Sequence, residues 1–208
     1  DTPDGYAFIV QDQGNTPPPP ITGTAAVLNT TIQGTLDVAG EVDDYTFALA
    51  APTRLVFDAL TNDFNLTWSL SGPRGEEVSN LSFAAYDNAM ADLVAGDYQL
   101  SIQSTGAVPT PYAFRLLDFA SATAVTPGTP VSGTLTPANA TNLHQFTAAA
   151  GDQVFFDTQT SSSGFVNWKL IDPHGRELFY QGWSDVDTLT LTTAGTYTLL
   201  VEGYISNT

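Results

Sequence analysis

The chain of 208 residues carries 22 acidic and 5 basic side chains, which gives a formal net charge of -17, and it contains no cysteine. Nucleic acid and anionic membrane surfaces both attract clustered Lys and Arg, so this composition argues against either partner. Apolar residues make up 42% of the sequence, but no run approaches the ~18 residues of a membrane span, and no membrane insertion is expected. Because the sequence starts without Met or a signal-peptide pattern, we expect an internal fragment whose targeting signal lies elsewhere.

The first elements in chain order are a short strand and a proline-rich linker. Tyr6-Ala7-Phe8 returns as Tyr112-Ala113-Phe114 at the end of the following module. Residues 1–16 are therefore predicted to be the last strand of a preceding module together with the start of a linker. The run Pro17 to Pro20 favours polyproline II, a semi-rigid spacer.

An internal repeat organises the rest of the chain. Short motifs recur in the same order one module length apart, such as Gly34-Thr35-Leu36 as Gly133-Thr134-Leu135 and Gly96-Asp97-Tyr98 as Gly195-Thr196-Tyr197. This order predicts two copies of one module, residues 17–119 and 120–208. The second copy reaches Thr208 before its own Tyr-x-Phe strand, so its final strand is expected to be missing.

Within each copy, apolar and polar residues alternate. The segment Tyr98 to Ile102 has an apolar residue at every second position, and turn sequences such as Gly72-Pro73-Arg74-Gly75 separate the runs. Short alternating strands with frequent turns predict an all-β fold of tandem antiparallel β-sandwiches, jelly-roll-like in type. Trp68 and Trp168 are predicted to fill the two cores. Each sandwich is expected to have its own core, with the linkers setting the spacing.

No catalytic constellation is evident, and we predict that the chain is not an enzyme. His144 and His174 stand where the first copy has Tyr and Arg, so neither position depends on imidazole chemistry. The sequence lacks the Gly-x-Ser-x-Gly and His-Glu-x-x-His motifs. Asp58 recurs as Asp157 at the matching strand end, which predicts a structural role such as bonding turn amides.

Three aromatic residues of the second copy are candidates for ligand binding. Trp183 has no evident counterpart in the first copy and lies near Tyr180 in a glycine-containing loop, and Tyr204 follows the last strand. Exposed rings along a sheet face would suit a carbohydrate or an extended peptide such as collagen. The alternative is that these rings pack into the core of the protein.

Taken in order, the motifs of each copy resemble the bacterial pre-peptidase C-terminal domain family. The residues that carry this resemblance in the first copy are Gly34-Thr35-Leu36, Glu41 to Phe47, Trp68 to Gly75 and Ala95 to Tyr98. The resemblance covers most of both copies and implies a jelly-roll β-sandwich, an extracellular location and an accessory rather than catalytic role. Members of the family sit beside secreted peptidases, in the collagen-binding domains of collagenases and in tandem within large bacterial surface proteins.

The resemblance also implies a calcium site in the first module. Some members of the family bind calcium near the acidic stretch that here contains Glu41, Asp43 and Asp44. Calcium prefers several carboxylate oxygens, so these residues are the candidate ligands. The corresponding residues 137–144 of the second module include no carboxylate, and no site is expected there. The alternative interpretation is a solvated acidic turn.

These observations favour a non-catalytic extracellular repeat module of a large bacterial surface or secreted protein, with a role as structural spacer or in adhesion. The alternative is a carbohydrate-, collagen- or peptide-binding accessory module of a secreted hydrolase or peptidase. The expected partners are neighbouring repeat modules, and the expected location is secreted or at the bacterial cell surface. Because residues 5–10 resemble the strand that the second copy lacks, we also predict head-to-tail strand exchange through this segment.

Overall fold

The computed structural model describes residues 5–14, 20–85, 88–160 and 165–207, so most of the predicted proline-rich linker lies outside the described residues. Within these ranges the chain is built from β-strands, with one 3-10 turn at Phe119–Ser121. Tyr98 and its alternate neighbours along one strand are buried, as a period of two predicts. The predicted all-β sandwich fold is confirmed. No helix in the described ranges is long and apolar enough to cross a membrane.

The first sandwich consists of two facing sheets. Its larger sheet contains, in spatial order, β1 (Thr24–Ala25), β3 (Val42–Leu49), β8 (Gly96–Ser104), β5 (Leu66–Gly72) and β6 (Gly75–Ser82). The facing sheet contains β2 (Ile32–Leu36), β9 (Thr110–Asp118), β4 (Thr53–Ala59) and β7 (Asn88–Leu93). Neighbouring strands are antiparallel, apart from the short β1, which runs parallel to β3.

The second sandwich has two unequal sheets. Its larger sheet contains, in spatial order, β10 (Thr123–Ala124), β11 (Thr141–Ala148), β16 (Gly195–Gly203), β13 (Val166–Ile171) and β14 (Glu177–Gly182). This order matches the larger sheet of the first sandwich strand for strand. The facing sheet has β12 (Gln153–Phe156) and β15 (Val186–Thr190), which correspond to β4 and β7. Within the described part of the chain, no strand takes the places of β2 and β9.

Glycine permits the tight turns that join β5 to β6 and β13 to β14. Gly75 has a φ of 95° and Gly175 a φ of 86°, in the left-handed region where a Cβ is unfavourable. A proline stands two residues earlier in each turn, and its fixed φ suits the start of a turn. These are the Pro-x-Gly turns expected from the sequence.

The first sandwich has a closed aromatic core. Phe57 stacks on Trp68 with ring centroids 4.1 Å apart and on Phe114 of β9 at 5.2 Å. In the second sandwich Trp168 is also buried, as predicted, but Phe156, the counterpart of Phe57, is only half-buried. The second core is therefore open on the side where β9 has no counterpart.

A further apolar cluster joins the two sandwiches. Val56 and Leu117, on the outer face of β4 and β9, pack with Leu143, Ile171 and Leu200 from β11, β13 and β16. All five side chains are buried. The linkers therefore do not set the spacing alone, because the sandwiches share a buried contact that the sequence did not reveal.

Polar contacts border this cluster. Arg115 Nε lies 2.6 Å from Asp58 Oδ2, and Arg115 Nη2 donates to the main-chain oxygen of Thr141 at 2.8 Å. The side-chain amide of Asn139 donates to the main-chain oxygen of Leu60 at 3.1 Å. Asp58 thus pairs with a guanidinium at the boundary between the sandwiches, a partner that its position at a strand end did not suggest.

Candidate functional site

The three acidic residues predicted to bind calcium have separate partners around the start of β3. Glu41 Oε2 accepts hydrogen bonds from two main-chain amides of the preceding turn, Asp43 accepts one from Tyr112, and Asp44 accepts one from Ser101. Asp43 and Asp44 are consecutive in a strand, so their side chains point to opposite faces of the sheet. The three carboxylates therefore do not form one calcium shell in this arrangement.

No group of three or more His, Cys, Asp or Glu side chains in the described ranges is placed to hold a metal ion. The acidic segment fits the interpretation of a capped turn at Glu41 better than that of a preformed cation site. Calcium binding in the first module stays a prediction, and it would require the segment to rearrange.

Tyr45, Tyr112 and Asp43 form a hydrogen-bonded cluster at the end of the first core near the start of β3. The hydroxyls of Tyr45 and Tyr112 are 2.7 Å apart, and the Tyr112 hydroxyl donates to Asp43. Burial, followed by the hydrogen bonds to Asp43 and Tyr45, raises the pKa of Tyr112, so the phenol keeps its proton. A Cβ on Gly34 of β2 would overlap the ring of Tyr112. The strand that supplies this tyrosine therefore requires a glycine opposite it.

Two of the predicted ligand-binding aromatics are partly exposed and have different surroundings. Tyr180 is 51% exposed, its ring centroid lies 5.2 Å from Lys169 Nζ, and its hydroxyl accepts a hydrogen bond from Asn167. Tyr204 is 42% exposed and packs edge-on against Phe165, with ring centroids 5.6 Å apart. Phe165 is 73% exposed and was not singled out from the sequence, because an isolated Phe before a strand carries no pattern.

The third candidate, Trp183, is a half-buried part of the second core. Its ring packs on Trp168 at a centroid distance of 4.8 Å. Its main-chain amide bonds to the carbonyl of Val166, as the amide of Phe83 bonds to the carbonyl of Leu66 in the first sandwich. Phe83 is therefore the counterpart of Trp183, and the expectation that it has none is wrong. Phe83 is fully buried against β9, whereas no described strand covers Trp183.

An open place runs along β12, where the first sandwich has β9. Residues 131–135, the counterpart of β2, form no strand, and β12 pairs with β15 on one side and with no described strand on the other. Val131 is 52% exposed and Leu135 half-buried, whereas Leu36, the counterpart of Leu135, is 1% exposed. Val131 and Leu135 are therefore less covered than the corresponding residues of the closed first sandwich.

Gly133 and His144 distinguish the open place from an ordinary surface. A Cβ added at Gly133, the counterpart of Gly34, would have one atom of the described residues within 4 Å, a side-chain atom at 3.7 Å. His144 is the counterpart of Tyr45, and its Nδ1 is buried with no hydrogen-bond partner among the described residues. Burial lowers the pKa of His144, which favours the neutral imidazole. Both residues thus stand around the position that Tyr112 fills in the first sandwich.

Fold and site together define an all-β protein of two joined sandwiches, one closed and one open along an edge. No protein-family model matches the chain, and no curated protein matches it. Among solved structures, the pre-peptidase C-terminal domain of a collagenase from Bacillus anthracis is similar, with 22% identity and a TM-score of 0.38 over 47% of this chain and 96% of that one. The CUB1-EGF-CUB2 region of human MASP-1/3 is also similar, with 6% identity and a TM-score of 0.28 over 84% of this chain and 94% of that one. At these values neither likeness assigns a family or a function, and the family resemblance of the motifs stays a prediction.

Proposed function

We propose that the chain is a non-catalytic extracellular module of a large bacterial surface or secreted protein, in which it acts as a structural spacer. The observation that carries this proposal is the buried contact between the two sandwiches. A spacer holds its neighbours at a defined separation, and a buried apolar cluster restricts domain motion far more than a flexible linker does. Val56 and Leu117 supply the first half of this contact.

The contact is specific to this pair of sandwiches. Leu143, Lys169 and Leu200 lie side by side on the larger sheet of the second sandwich, where the first sandwich has Asp44, Ser69 and Ser101. Polar residues at these positions give the first sandwich no equivalent apolar face. The two sandwiches therefore form one unit with a single docking direction, which favours a stiff element over uniformly stacked repeats.

A buried ion pair lies on the same face of the second sandwich. Lys169 Nζ is 2.9 Å from Glu202 Oε1, and the two side chains are 9% and 2% exposed. Both residues belong to the second sandwich, and such a pair contributes little net stability. Its burial shows that this face of the second sandwich is covered.

Small-angle X-ray scattering on the 208-residue chain tests the spacer. We expect the profile of one fixed arrangement for the wild type and a larger radius of gyration for Leu117→Asp, with an unchanged circular dichroism spectrum. Val27→Asp introduces the same charge at a position that is 61% exposed, so it should scatter like the wild type. A wild-type profile that requires a flexible ensemble of two sandwiches would contradict the proposal.

The location is tested on the source bacterium. Antibodies raised against the chain should label intact cells or the culture medium, and protease added outside the cells should remove the surface label. Labelling that appears after lysis alone would contradict an extracellular role.

A second candidate function rests on the exposed aromatic pair Phe165 and Tyr204. Adjacent exposed rings suit a carbohydrate or an extended peptide such as collagen, as in an accessory module of a secreted hydrolase or peptidase. Glycan arrays and collagen pull-down assays test it with Phe165→Ala, and Phe64→Ala, at a 71% exposed ring of the first sandwich, serves as the aromatic control. A signal lost in the first variant and kept in the second would favour this function, whereas a spacer gives no signal in either assay.

A further inference from the structure

We infer that the open place in the second sandwich is a docking site for residues 5–12 of a second copy of this chain, which insert beside β12 as the counterpart of β9. The first sandwich shows the expected arrangement, because its own Tyr-Ala-Phe sequence, residues 112–114 of β9, is paired between β2 and β4. The inference does not depend on the spacer function.

The incoming segment already has the local geometry of β9. The rings of Tyr6 and Phe8 lie on one side of the chain, 6.4 Å apart and nearly parallel, and those of Tyr112 and Phe114 are 6.3 Å apart. Tyr6 and Phe8 are 89% and 80% exposed, whereas their counterparts are 3% and 0% exposed. An extended segment with such exposed apolar side chains is suited to pair with an open sheet edge.

A local turn extends the match beyond the aromatic triplet. Asp12 Oδ1 accepts a hydrogen bond from the amide two residues later, at 2.8 Å, and Asp118 at the end of β9 makes the same bond at the same length. Asp12 and Asp118 stand six residues after Tyr6 and Tyr112, so the two segments share one register from the tyrosine to the turn.

The receiving side has space and an unpaired group where Tyr6 would lie. Gly34 opposes Tyr112 across β2 and β9, and the same register places Tyr6 opposite Gly133. A Cβ on Gly133 would meet one side-chain atom of the described residues, at 3.7 Å, whereas a Cβ on Gly34 would overlap the ring of Tyr112. The buried Nδ1 of His144 then gains a hydroxyl within reach, as Tyr45 has in the first sandwich.

The receiving side also has the apolar surface that Phe8 needs. In the first sandwich Phe114 lies 5.2 Å from Phe57 and 6.3 Å from Phe83. Their counterparts in the second sandwich are Phe156 and Trp183, both half-buried. Insertion of Phe8 between them would complete the second core.

The register separates inward from outward side chains. Ile9 corresponds to Arg115, which alternates with Phe114 and points away from the first core. Phe8→Arg therefore disrupts docking, whereas Ile9→Arg places the same charge on the outer side, where the first sandwich itself has an arginine. These two variants have equal net charge and form a matched pair.

Complementation between two defective chains tests the docking site. Phe8→Arg removes the donor strand and keeps the open place, whereas Gly133→Leu blocks the open place and keeps the donor strand. By sedimentation velocity and light scattering, we expect the wild type and Ile9→Arg to self-associate and each defective chain to remain at the monomer mass of 22.0 kDa. Mixed in equal amounts, the two defective chains should form a 1:1 complex of twice that mass.

Two results would overturn the inference. One is a wild-type chain that stays monomeric at every concentration. This includes a monomer whose residues 5–12 are protected from hydrogen exchange, because the segment would then be docked within its own chain. The other is a mixture of the defective chains that stays at the monomer mass although the wild type associates.

If Gly133→Leu fails to fold, a synthetic peptide of residues 5–12 can replace it as the source of the donor strand. Added to the Phe8→Arg chain, the peptide should bind and shift the tryptophan emission to shorter wavelength, because it covers Trp183. The shift should be lost in Trp183→Phe, and a peptide with Phe8→Arg should not bind. No binding by the wild-type peptide would contradict the docking site.

Discussion

Arg115 of the first sandwich donates a hydrogen bond to the main-chain oxygen of Thr141 in the second, at 2.8 Å. The same guanidinium pairs with Asp58, whose side chain is 1% exposed. A buried carboxylate stays ionised when a cation and hydrogen bonds compensate for lost hydration. Arg115 therefore neutralises the buried Asp58 carboxylate and at the same time connects the first sandwich to the second.

Arg115→Met should lower the free energy of unfolding by about 3 kcal/mol, because it removes the cationic partner of the buried Asp58. Urea denaturation followed by circular dichroism measures the change. The double variant Asp58→Asn with Arg115→Met should recover part of the loss. Arg74→Met breaks a pair whose arginine is 51% exposed and screened by water, so it should cost much less than Arg115→Met. Equal costs at Arg115 and Arg74 would contradict a stabilising role for the buried pair.

His144 should make the stability of the second sandwich depend on pH. Burial lowers its pKa from the ordinary 6.5, so the unfolded chain binds a proton more readily than the folded one. The stability is therefore fully present above pH 6.5 and decreases as the pH falls below it, until the folded imidazole also protonates. The measurement is urea denaturation at about pH 8 and about pH 5.

His144→Tyr is the control, because the first sandwich has Tyr45 at the same place. The variant removes the imidazole and keeps an aromatic ring, so the difference between the two proteins isolates this group from the many carboxylates. A difference that stays constant across the pH range would show that His144 does not titrate differently on folding.

Trp183→Ala should destabilise the second sandwich by about 2 kcal/mol, because a ring packed on Trp168 is truncated to a methyl group. The indole also donates to the main-chain oxygen of Thr160 at 2.7 Å, and this bond is lost as well. Tyr204→Ala, at a more exposed position, should change stability by less than about 0.5 kcal/mol. Unchanged stability together with lost glycan or collagen binding in Trp183→Ala would restore the ligand-binding interpretation.

The sequence predicted the sandwich fold and the repeat motifs, because both depend on local patterns. Alternation around Tyr98 specifies a strand, and the Tyr-Ala-Phe triplet identifies the segment that resembles β9. The contact between the sandwiches was not predictable in this way. Leu143 and Leu200 read as ordinary strand residues, and their burial depends on a partner face far away in the sequence.

The counterpart of Trp183 was missed for a different reason. Aligning the two copies by residue identity pairs Trp168 with Trp68 and leaves Trp183 without a counterpart. The fold pairs Trp183 with Phe83, because their main-chain amides make equivalent hydrogen bonds. The acidic segment shows the opposite difficulty. Proximity in sequence suggested that Asp43 and Asp44 act together, but consecutive strand residues face opposite sides of a sheet.

Calcium should therefore bind the first module weakly. Asp43 is held by Tyr112, and Asp44 lies on the other face, so coordination by both requires rearrangement. We expect an increase in melting temperature at roughly millimolar calcium, the range typical of weak extracellular sites, and its loss in Asp43→Asn. Asp185→Asn, in an exposed loop of the second module, should respond like the wild type. Saturation at micromolar calcium would contradict the separate placement of these carboxylates.

Asp172 is the acidic residue whose charge should matter most for the turn between β13 and β14. Its side chain is 1% exposed, and its two oxygens accept hydrogen bonds from the main-chain amides of His174 and Arg176 and from the Arg176 guanidinium. Burial by itself would raise the pKa of Asp172, but these hydrogen bonds outweigh it and hold the pKa below the ordinary 3.8. The ionised carboxylate is therefore favoured by folding.

Asp172→Asn keeps the shape of this side chain and removes its charge, so it should cost about 2 kcal/mol of unfolding free energy at neutral pH. Because the folded pKa is depressed, the contribution is present above pH 3.8 and is lost as the pH falls through the folded value. The gap between wild type and variant in thermal denaturation should thus narrow as the solution is acidified. If the difference in stability between wild type and variant were equal at neutral and acid pH, the cost would come from packing in the turn, because at acid pH neither protein carries the charge.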